Sequence, residues 1–220
     1  MDIEGTTSSI DFVHKELFPF AAKALPSFLK NHAQETAVSF ILKSLGEDPG
    51  YQDLEQLGQI LLGWIKADLK EPRLKSLQGL IWQAGYQSGQ LKGHVYPEVP
   101  GVLKAWAGAG LKLGIYSSGS VLAQKLIFGY SVAGDLNQWL TYYFDTQIGG
   151  KKEVRSYQNI AESTGVNPSE ILFLSDIAEE LAAAEEAGYL VTELRRDHLP
   201  PTRVGFAAQN FEQVRAFWKI

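Results

Sequence analysis

The chain has 220 residues, of which 45 % are hydrophobic and 20 % charged, as is typical of a globular protein with one domain and an insertion, or two small domains. Since it contains no cysteine, disulfides, thiolate metal sites and a cysteine nucleophile are excluded, and we expect a cytoplasmic protein. The net charge of −5 argues against partners that need a basic surface, namely nucleic acids and anionic membranes.

The first nine residues place two carboxylates, Asp2 and Glu4, directly before a Gly-Thr pair. In an extended segment, side chains at i and i+2 point to the same side, so both carboxylates could reach one reacting centre. Gly5 permits a sharp turn after them, and Thr6 offers a hydroxyl and a backbone N–H to an anion. The pattern is equally compatible with a capping box at the start of a helix, and the residues alone leave both interpretations open.

Residues from about 10 to 91 are predicted to be mostly helical, because apolar residues recur at three- and four-residue spacing. The clearest stretches are 37–45, 54–69 and 74–91, with breaks at Gly46, Pro49–Gly50 and Pro72. The apolar runs are short and interrupted by charges, so no segment is expected to span a membrane.

Beyond Pro97 and Pro100, strand-like and helix-like segments alternate, which predicts an α/β fold with a parallel sheet and crossover helices. The predicted strands are 113–116, 142–144, 171–174 and 189–192, and the predicted helices are 102–109, a helix from 121, 154–164 and 179–187. Ligands in such sheets bind beyond the carboxyl ends of the strands. Asp2, Ser117–Ser118 and Asp176 all lie at such ends, which predicts one shared site.

Each of these residues has an alternative interpretation. Asp176 follows an apolar strand, where a buried charge needs a partner such as a cation, but it is equally suited to cap the next helix. Ser117 and Ser118 precede a helix start, where they could hold phosphate or simply cap the helix. Lys151 follows two glycines that allow close approach, but Lys152 and Arg155 compete with it.

The segment Asp2-Ile-Glu-Gly-Thr resembles the first motif of the haloacid dehalogenase superfamily, whose usual form is Asp-x-Asp-Gly-Thr. With glutamate at the second position, and with the segments 7–13 and 17–19 that follow, it is similar to the enolase-phosphatases (acireductone synthases) of methionine salvage. Segments 115–126, 144–157 and 171–187 resemble the second, third and fourth motifs of that family. The resemblance covers nearly the whole chain, in the order of the family.

The resemblance implies a Rossmann-like parallel core, residues 1–19 and 95–220, with an inserted α-helical cap, residues 20–94. It implies a monomeric Mg²⁺-dependent phosphatase for a small phosphorylated substrate, one ion per chain, that forms an acireductone in methionine salvage. The resemblance implies that Asp2 is the nucleophile and Glu4 the acid/base. It implies metal binding by Asp2, Asp176 and the carbonyl of Glu4. The substrate would be bound by Ser117, Ser118 and Lys151, and Glu180 would orient neighbouring groups.

Two alternatives stay open. Another capped phosphatase of the superfamily, acting on a sugar or glycolate phosphate, is disfavoured by Glu4. The presence of Asp2, Glu4, Lys151 and Asp176 argues against a catalytically inactive binding protein. One departure from the pattern favours it, since the family has an apolar strand before the nucleophile and here only Met1 precedes Asp2. We therefore expect a start site assigned too far downstream or a truncated chain, with an in-frame apolar stretch upstream of Met1.

Overall fold

The computed structural model describes residues 1–46, 53–67, 69, 71–196, 200–202 and 205–220. They form two compact units, one of Met1–Ile10 with Gly93–Ile220 and the other of Asp11–Lys92. The predicted break at Pro49–Gly50 lies outside the described residues. No helix in the described part of the chain is long and apolar enough to cross a lipid bilayer.

The unit Asp11–Lys92 is built from helices. Its elements are α1 (Ile10–Phe12, which begins in the other unit), a π-helical stretch (Val13–Leu17), α2 (Phe18–His32), α3 (Thr36–Gly46), α4 (Leu54–Lys66) and α5 (Pro72–Gln87). Their apolar faces meet in one core around the fully buried Leu25, Leu61 and Leu77. The predicted helices are confirmed, although α5 ends before Leu91 because Gly89, with φ of 73°, leaves the helical conformation.

The other unit alternates strands and helices. In chain order, its elements are α6 (Val99–Gly108), β1 (Gly114–Tyr116), α7 (Val121–Gly129), β2 (Tyr142–Phe144), α8 (Val154–Thr164), β3 (Leu172–Ser175), α9 (Ala178–Glu186), β4 (Leu190–Leu194), β5 (Ala207–Ala208) and α10 (Phe211–Trp218). Strands β1 and β2 pair in parallel, as do β3 with β4 and β4 with β5. The predicted α/β class with parallel strands is confirmed.

The first two residues lie between β1 and β3 and join the two sheets. The N-terminal ammonium of Met1 donates to the carbonyl of Gly114, and the N–H of Tyr116 donates to the Met1 carbonyl, both at 2.9 Å. The N–H of Asp2 donates to the carbonyl of Leu174 on β3, also at 2.9 Å. Asp2 is therefore held at the carboxyl ends of two parallel strands, where ligands bind in α/β folds.

Successive residues of each strand face opposite sides of the sheet and enter different cores. Ile115 and Leu174 belong to the core that includes residues of α6 and α10, whereas Tyr116 and Phe173 belong to the core of α8 and α9. Helices thus cover both faces, which explains why the strands are short apolar runs rather than alternating patterns.

A cavity of about 570 Å³ opens between β1 and β3, beside Met1. Its lining is mostly apolar and includes Ile115, Phe173 and Leu174 from the two strands. The bonds to Met1 involve Gly114 and Tyr116 of β1, and the bond to Asp2 involves Leu174 of β3. The cavity extends along the residues that precede these bonds, 111–113 before β1 and 171–173 at the start of β3.

Candidate active site

Asp2 is the centre of the site and is only 3 % exposed. Its Oδ1 accepts hydrogen bonds from the ammonium of Lys151 at 2.5 Å and from the N–H of Ile3 at 2.8 Å. Its Oδ2 takes part in no hydrogen bond within the described part of the chain, which leaves this oxygen available to attack an electrophile or bind a cation.

The loop after Asp2 turns back tightly over Ile3. The carbonyl of Ile3 accepts from the N–H groups of Thr6, Thr7 and Ser8, at 3.1, 2.9 and 2.9 Å. Gly5 makes the turn with φ of 69°, and a Cβ at this position would collide with the carboxylate of Asp176. The sharp turn predicted at Gly5 is therefore present, and only glycine fits it.

Glu4 is carried into the site by this loop. Burial, reinforced by the negative charge of Asp2, raises the pKa of Glu4 above its usual value. A carboxyl group with a raised pKa can hold a proton closer to neutral pH, as a general acid must.

Asp176 follows β3, as predicted, and faces the same centre. Burial, followed by the charge of Asp2, raises the pKa of Asp176 to about 6. Its Oδ1 is buried and accepts no hydrogen bond from any residue that the structure describes. The capping interpretation is wrong, because α9 begins at Ala178 after Ile177, with no side-chain cap.

Lys151 is the cation of the site and is shared by two carboxylates. Its side chain is 10 % exposed, and Nζ lies 2.5 Å from Asp2 and 2.9 Å from Oε2 of Glu180. Burial alone would lower the pKa of Lys151, but the charges of Asp2 and Glu180 outweigh it and raise the pKa. The competitors point elsewhere, since Lys152 pairs with Glu179 and Arg155 with Glu162, both largely exposed.

Glu180 is oriented by β3 as well as by the lysine. The hydroxyl of Ser175 donates to its Oε2 at 2.9 Å. Tyr157 fixes the backbone of Lys151 by donating to its carbonyl at 2.6 Å. These bonds hold the Lys151 ammonium in front of Asp2.

The two candidate serines differ in their surroundings. Ser117 is fully buried at the end of β1, and its Oγ accepts from the N–H of Gly119 at 3.2 Å, whereas Ser118 is exposed. Neither forms a hydrogen bond with the four residues Asp2, Glu4, Lys151 or Asp176 in the described part of the chain. The cap of α7 is Ser120, whose Oγ accepts from the N–H of Ala123 at 3.3 Å.

Sequence reasoning missed Gln124 on α7. Its Nε2 donates to the carbonyls of Gly119 and Phe144, both at 2.8 Å, and so ties the loop after β1 to β2. Its Oε1 is buried and has no hydrogen-bond partner among the described ranges. The sequence signal that would have identified it is a glutamine within the mostly apolar segment 121–129, because a polar side chain that is buried there needs hydrogen-bond partners.

The donor set suits a hard divalent cation. No group of three His, Cys, Asp or Glu side chains in the described ranges forms a complete metal-binding set. The carboxylate of Asp2 is nevertheless near enough for its charge to raise the pKa of Asp176, and the buried Oδ1 of Asp176, which is unbonded within the described part of the chain, needs a partner. Two carboxylates and a backbone carbonyl are the ligands that Mg²⁺ takes in proteins, with water in its other positions.

Comparison with known proteins identifies the family of the chain. The family model described as haloacid dehalogenase-like hydrolase matches residues 1–188. The chain is 51 % identical over its whole length to a protein named Enolase-phosphatase E1 from Stenotrophomonas maltophilia, covering 96 % of that protein. It is 50 % identical, over 98 % of its length and 95 % of the relative, to Enolase-phosphatase E1 from Marinobacter nauticus.

Among solved structures, the UTR4 protein of Saccharomyces cerevisiae superposes with a TM-score of 0.82 and 37 % identity, and each chain covers 96 % of the other. The resemblance noted from the four motifs is confirmed, and the chain belongs to the haloacid dehalogenase-like hydrolases and, within them, to the enolase-phosphatase E1 family.

Proposed function

We propose that the protein is a Mg²⁺-dependent enolase-phosphatase. It enolises 2,3-diketo-5-methylthiopentyl-1-phosphate and removes the phosphate to give the acireductone 1,2-dihydroxy-3-keto-5-methylthiopentene in L-methionine salvage. The observation that carries this proposal is the buried cluster in which Lys151 bridges Asp2 and Glu180, with Glu4 and Asp176 beside it. Family membership supplies the identity of the substrate.

In the proposed phosphatase step, Oδ2 of Asp2 attacks phosphorus and forms an acyl phosphate as the bond to the leaving oxygen breaks. Glu4 donates a proton to that oxygen and then takes one from the water that hydrolyses the acyl phosphate. Lys151 offsets negative charge on the transferring group. This division of roles is supported by the unbonded Oδ2 of Asp2 and the raised pKa of Glu4.

Asp2, Asp176 and the carbonyl of Glu4 are proposed to hold one Mg²⁺, which when bound would neutralise charge on the phosphate oxygens. Ser117 and Ser118 are proposed to bind the phosphate group, and Glu180 to orient Lys151. Residues 20–94 are proposed to act as the cap that selects the substrate. A monomeric state and a cytoplasmic location stay predictions.

The two half-reactions provide the test, because removing a proton from carbon does not need the Asp2 nucleophile. Asp2→Asn, studied with saturating Mg²⁺, is expected to release no phosphate and still to exchange the acidic C–H of the substrate with deuterium. Glu4→Gln is expected to impair both, since glutamate is one methylene longer than aspartate and is proposed to serve the carbon chemistry as well.

NMR in D₂O follows the exchange, and a phosphate assay follows the release. If Asp2→Asn binds metal but loses both deuterium exchange and phosphate release, the two steps share Asp2, and the assignment of separate groups to them is wrong. Turnover of generic phosphate esters without turnover of the diketo phosphate would identify another capped phosphatase. Absence of any Mg²⁺-dependent release would favour a binding protein.

A further inference from the structure

Arg196 lies just beyond the carboxyl end of β4 and holds the loop that follows Glu4. Its Nε and Nη2 both donate to the carbonyl of Thr6, at 3.1 and 2.6 Å. Its Nη1 pairs with Glu98, and only 11 % of the side chain is exposed. A guanidinium that donates twice to one carbonyl fixes the direction of that carbonyl as well as its distance.

The guanidinium is itself held from two sides. It stacks on the ring of Tyr96, 3.9 Å from the ring centroid, and the N–H of Tyr96 donates to the carbonyl of Thr7 at 3.0 Å. The oxygen of Glu98 that binds Arg196 also accepts a hydrogen bond from the N–H of Phe211 at 3.4 Å. Segments far apart in sequence thus converge on the Thr6–Thr7 peptide.

The loop transmits this contact to Glu4. Because the N–H groups of Thr6, Thr7 and Ser8 all bond to one carbonyl, that of Ile3, a shift of Thr6 requires the whole turn to move. Glu4 lies within this turn. Asp2 also contacts the turn, through the N–H of Ile3 and the hydroxyl of Thr7, but it is held in addition by Leu174 and Lys151 outside the turn. A shift of the turn is therefore expected to displace the proposed acid/base more than the proposed nucleophile.

We infer that Arg196 is a positioning residue, which acts through the Thr6 carbonyl to hold the carboxyl of Glu4 at the leaving oxygen. This role rests on the proposed function. Sequence reasoning did not find it, although two arginines directly after a predicted parallel strand, of which Arg196 is the second, are a usable signal. A misplaced acid slows the departure of a basic leaving group, which needs a proton, more than that of an acidic one.

The test compares phenyl phosphate with p-nitrophenyl phosphate, which differ little in shape but greatly in the basicity of the leaving group. The full chain is assayed with Mg²⁺, and kcat/KM is measured because it reports only steps up to phosphoryl transfer. Arg196→Lys is expected to lower kcat/KM by roughly 10- to 100-fold for phenyl phosphate and by less than about threefold for p-nitrophenyl phosphate.

A double-variant cycle separates positioning from general support of the fold. Combined with Glu4→Gln, Arg196→Lys is expected to cost little more than Glu4→Gln alone, since the group that it positions is already lost. Arg215→Gln is the matched control, because this largely exposed arginine contacts Glu212 far along the chain from the loop. It is expected to leave both rates unchanged.

Equal losses on the two esters, or additive losses in the double variant, would overturn the role of Arg196 while leaving the proposed function intact. If circular dichroism shows that Arg196→Lys does not fold, Glu98→Gln weakens the same anchor and is expected to give the same unequal loss. No Mg²⁺-dependent turnover by the unaltered chain would overturn the proposed function and, with it, this role.

Discussion

At the scale of single residues, Lys151 and Lys152 are identical neighbours in different surroundings. The ammonium of Lys151 is buried between Asp2 and Glu180, whereas the side chain of Lys152 is 63 % exposed and pairs with Glu179. A hydrogen bond to a charged group contributes about 1.5–3 kcal/mol, so Lys151→Ala is expected to lower kcat/KM by roughly 10- to 150-fold. Steady-state kinetics should show a much smaller effect for Lys152→Ala, and equal losses would refute the assignment of Lys151.

Asp176 is predicted to make the metal-free protein sensitive to pH. Its pKa is raised from 3.8 to about 6, chiefly by burial. The folded carboxyl therefore keeps a proton that the unfolded chain releases, and stability falls as the pH rises through that window. In excess EDTA, the melting temperature of Asp176→Asn is expected to be higher than that of the unaltered protein near pH 7. Near pH 4 the two melting temperatures are expected to be similar.

Mg²⁺ provides the matching control for this residue. At neutral pH it is expected to raise the melting temperature of the unaltered protein and to leave that of Asp176→Asn nearly unchanged, because a ligand stabilises only the state that binds it. Calorimetric titration with Mg²⁺ measures the same difference directly. An equal response of the two proteins would contradict metal binding by Asp176.

The sequence could identify candidate residues but not their mutual contacts. The motifs predict Asp2 and Glu4 because both precede a glycine turn. They predict Lys151 because it follows two glycines, and Asp176 because it follows an apolar strand. The bond from Ser175 to Glu180 depends on side-chain rotamers and on the packing of α9 against β3, which spacing does not encode.

At the scale of elements, the apolar runs of the α/β unit predicted β1 to β4 within a few residues of their observed ends. The strand β5 was missed because two residues carry no periodicity, and its pairing with β4 comes from tertiary context. The helix α10 was also missed, although Asn210, whose side chain accepts from the N–H of Gln213, is a recognisable cap.

The cavity between β1 and β3 leads to a prediction about the sheet. Four or five consecutive apolar residues appended before Met1 are expected to pair with both strands and fill the mostly apolar cavity. At about 2–4 °C for each kcal/mol in a chain of this size, the melting temperature should rise by at least about 3 °C. Scanning calorimetry measures the shift.

A control for the added segment has the same length but consists of serine and glycine. It is expected to give no increase in melting temperature, because it offers little apolar surface to the cavity and costs more entropy to order. An equal increase from both segments would show that the cavity does not accept an apolar strand.

At the scale of the whole molecule, the charges favour the binding of a cation at the site. The protein carries a net charge of −5, and four carboxylates surround the ammonium of Lys151, those of Asp2, Glu4, Asp176 and Glu180. A phosphate ester would be repelled by this cluster unless a metal ion and Lys151 offset its charge. The acidic composition and the phosphatase function are therefore compatible only through local positive charge.

Phosphate release from 2,3-diketo-5-methylthiopentyl-1-phosphate is the most direct measurement of this account. The purified chain is assayed in Mg²⁺, then in excess EDTA, and again after Mg²⁺ is restored. The account predicts release with Mg²⁺, none with EDTA, and recovery on restoration. Full release in excess EDTA, or no release from this substrate in Mg²⁺, would contradict it.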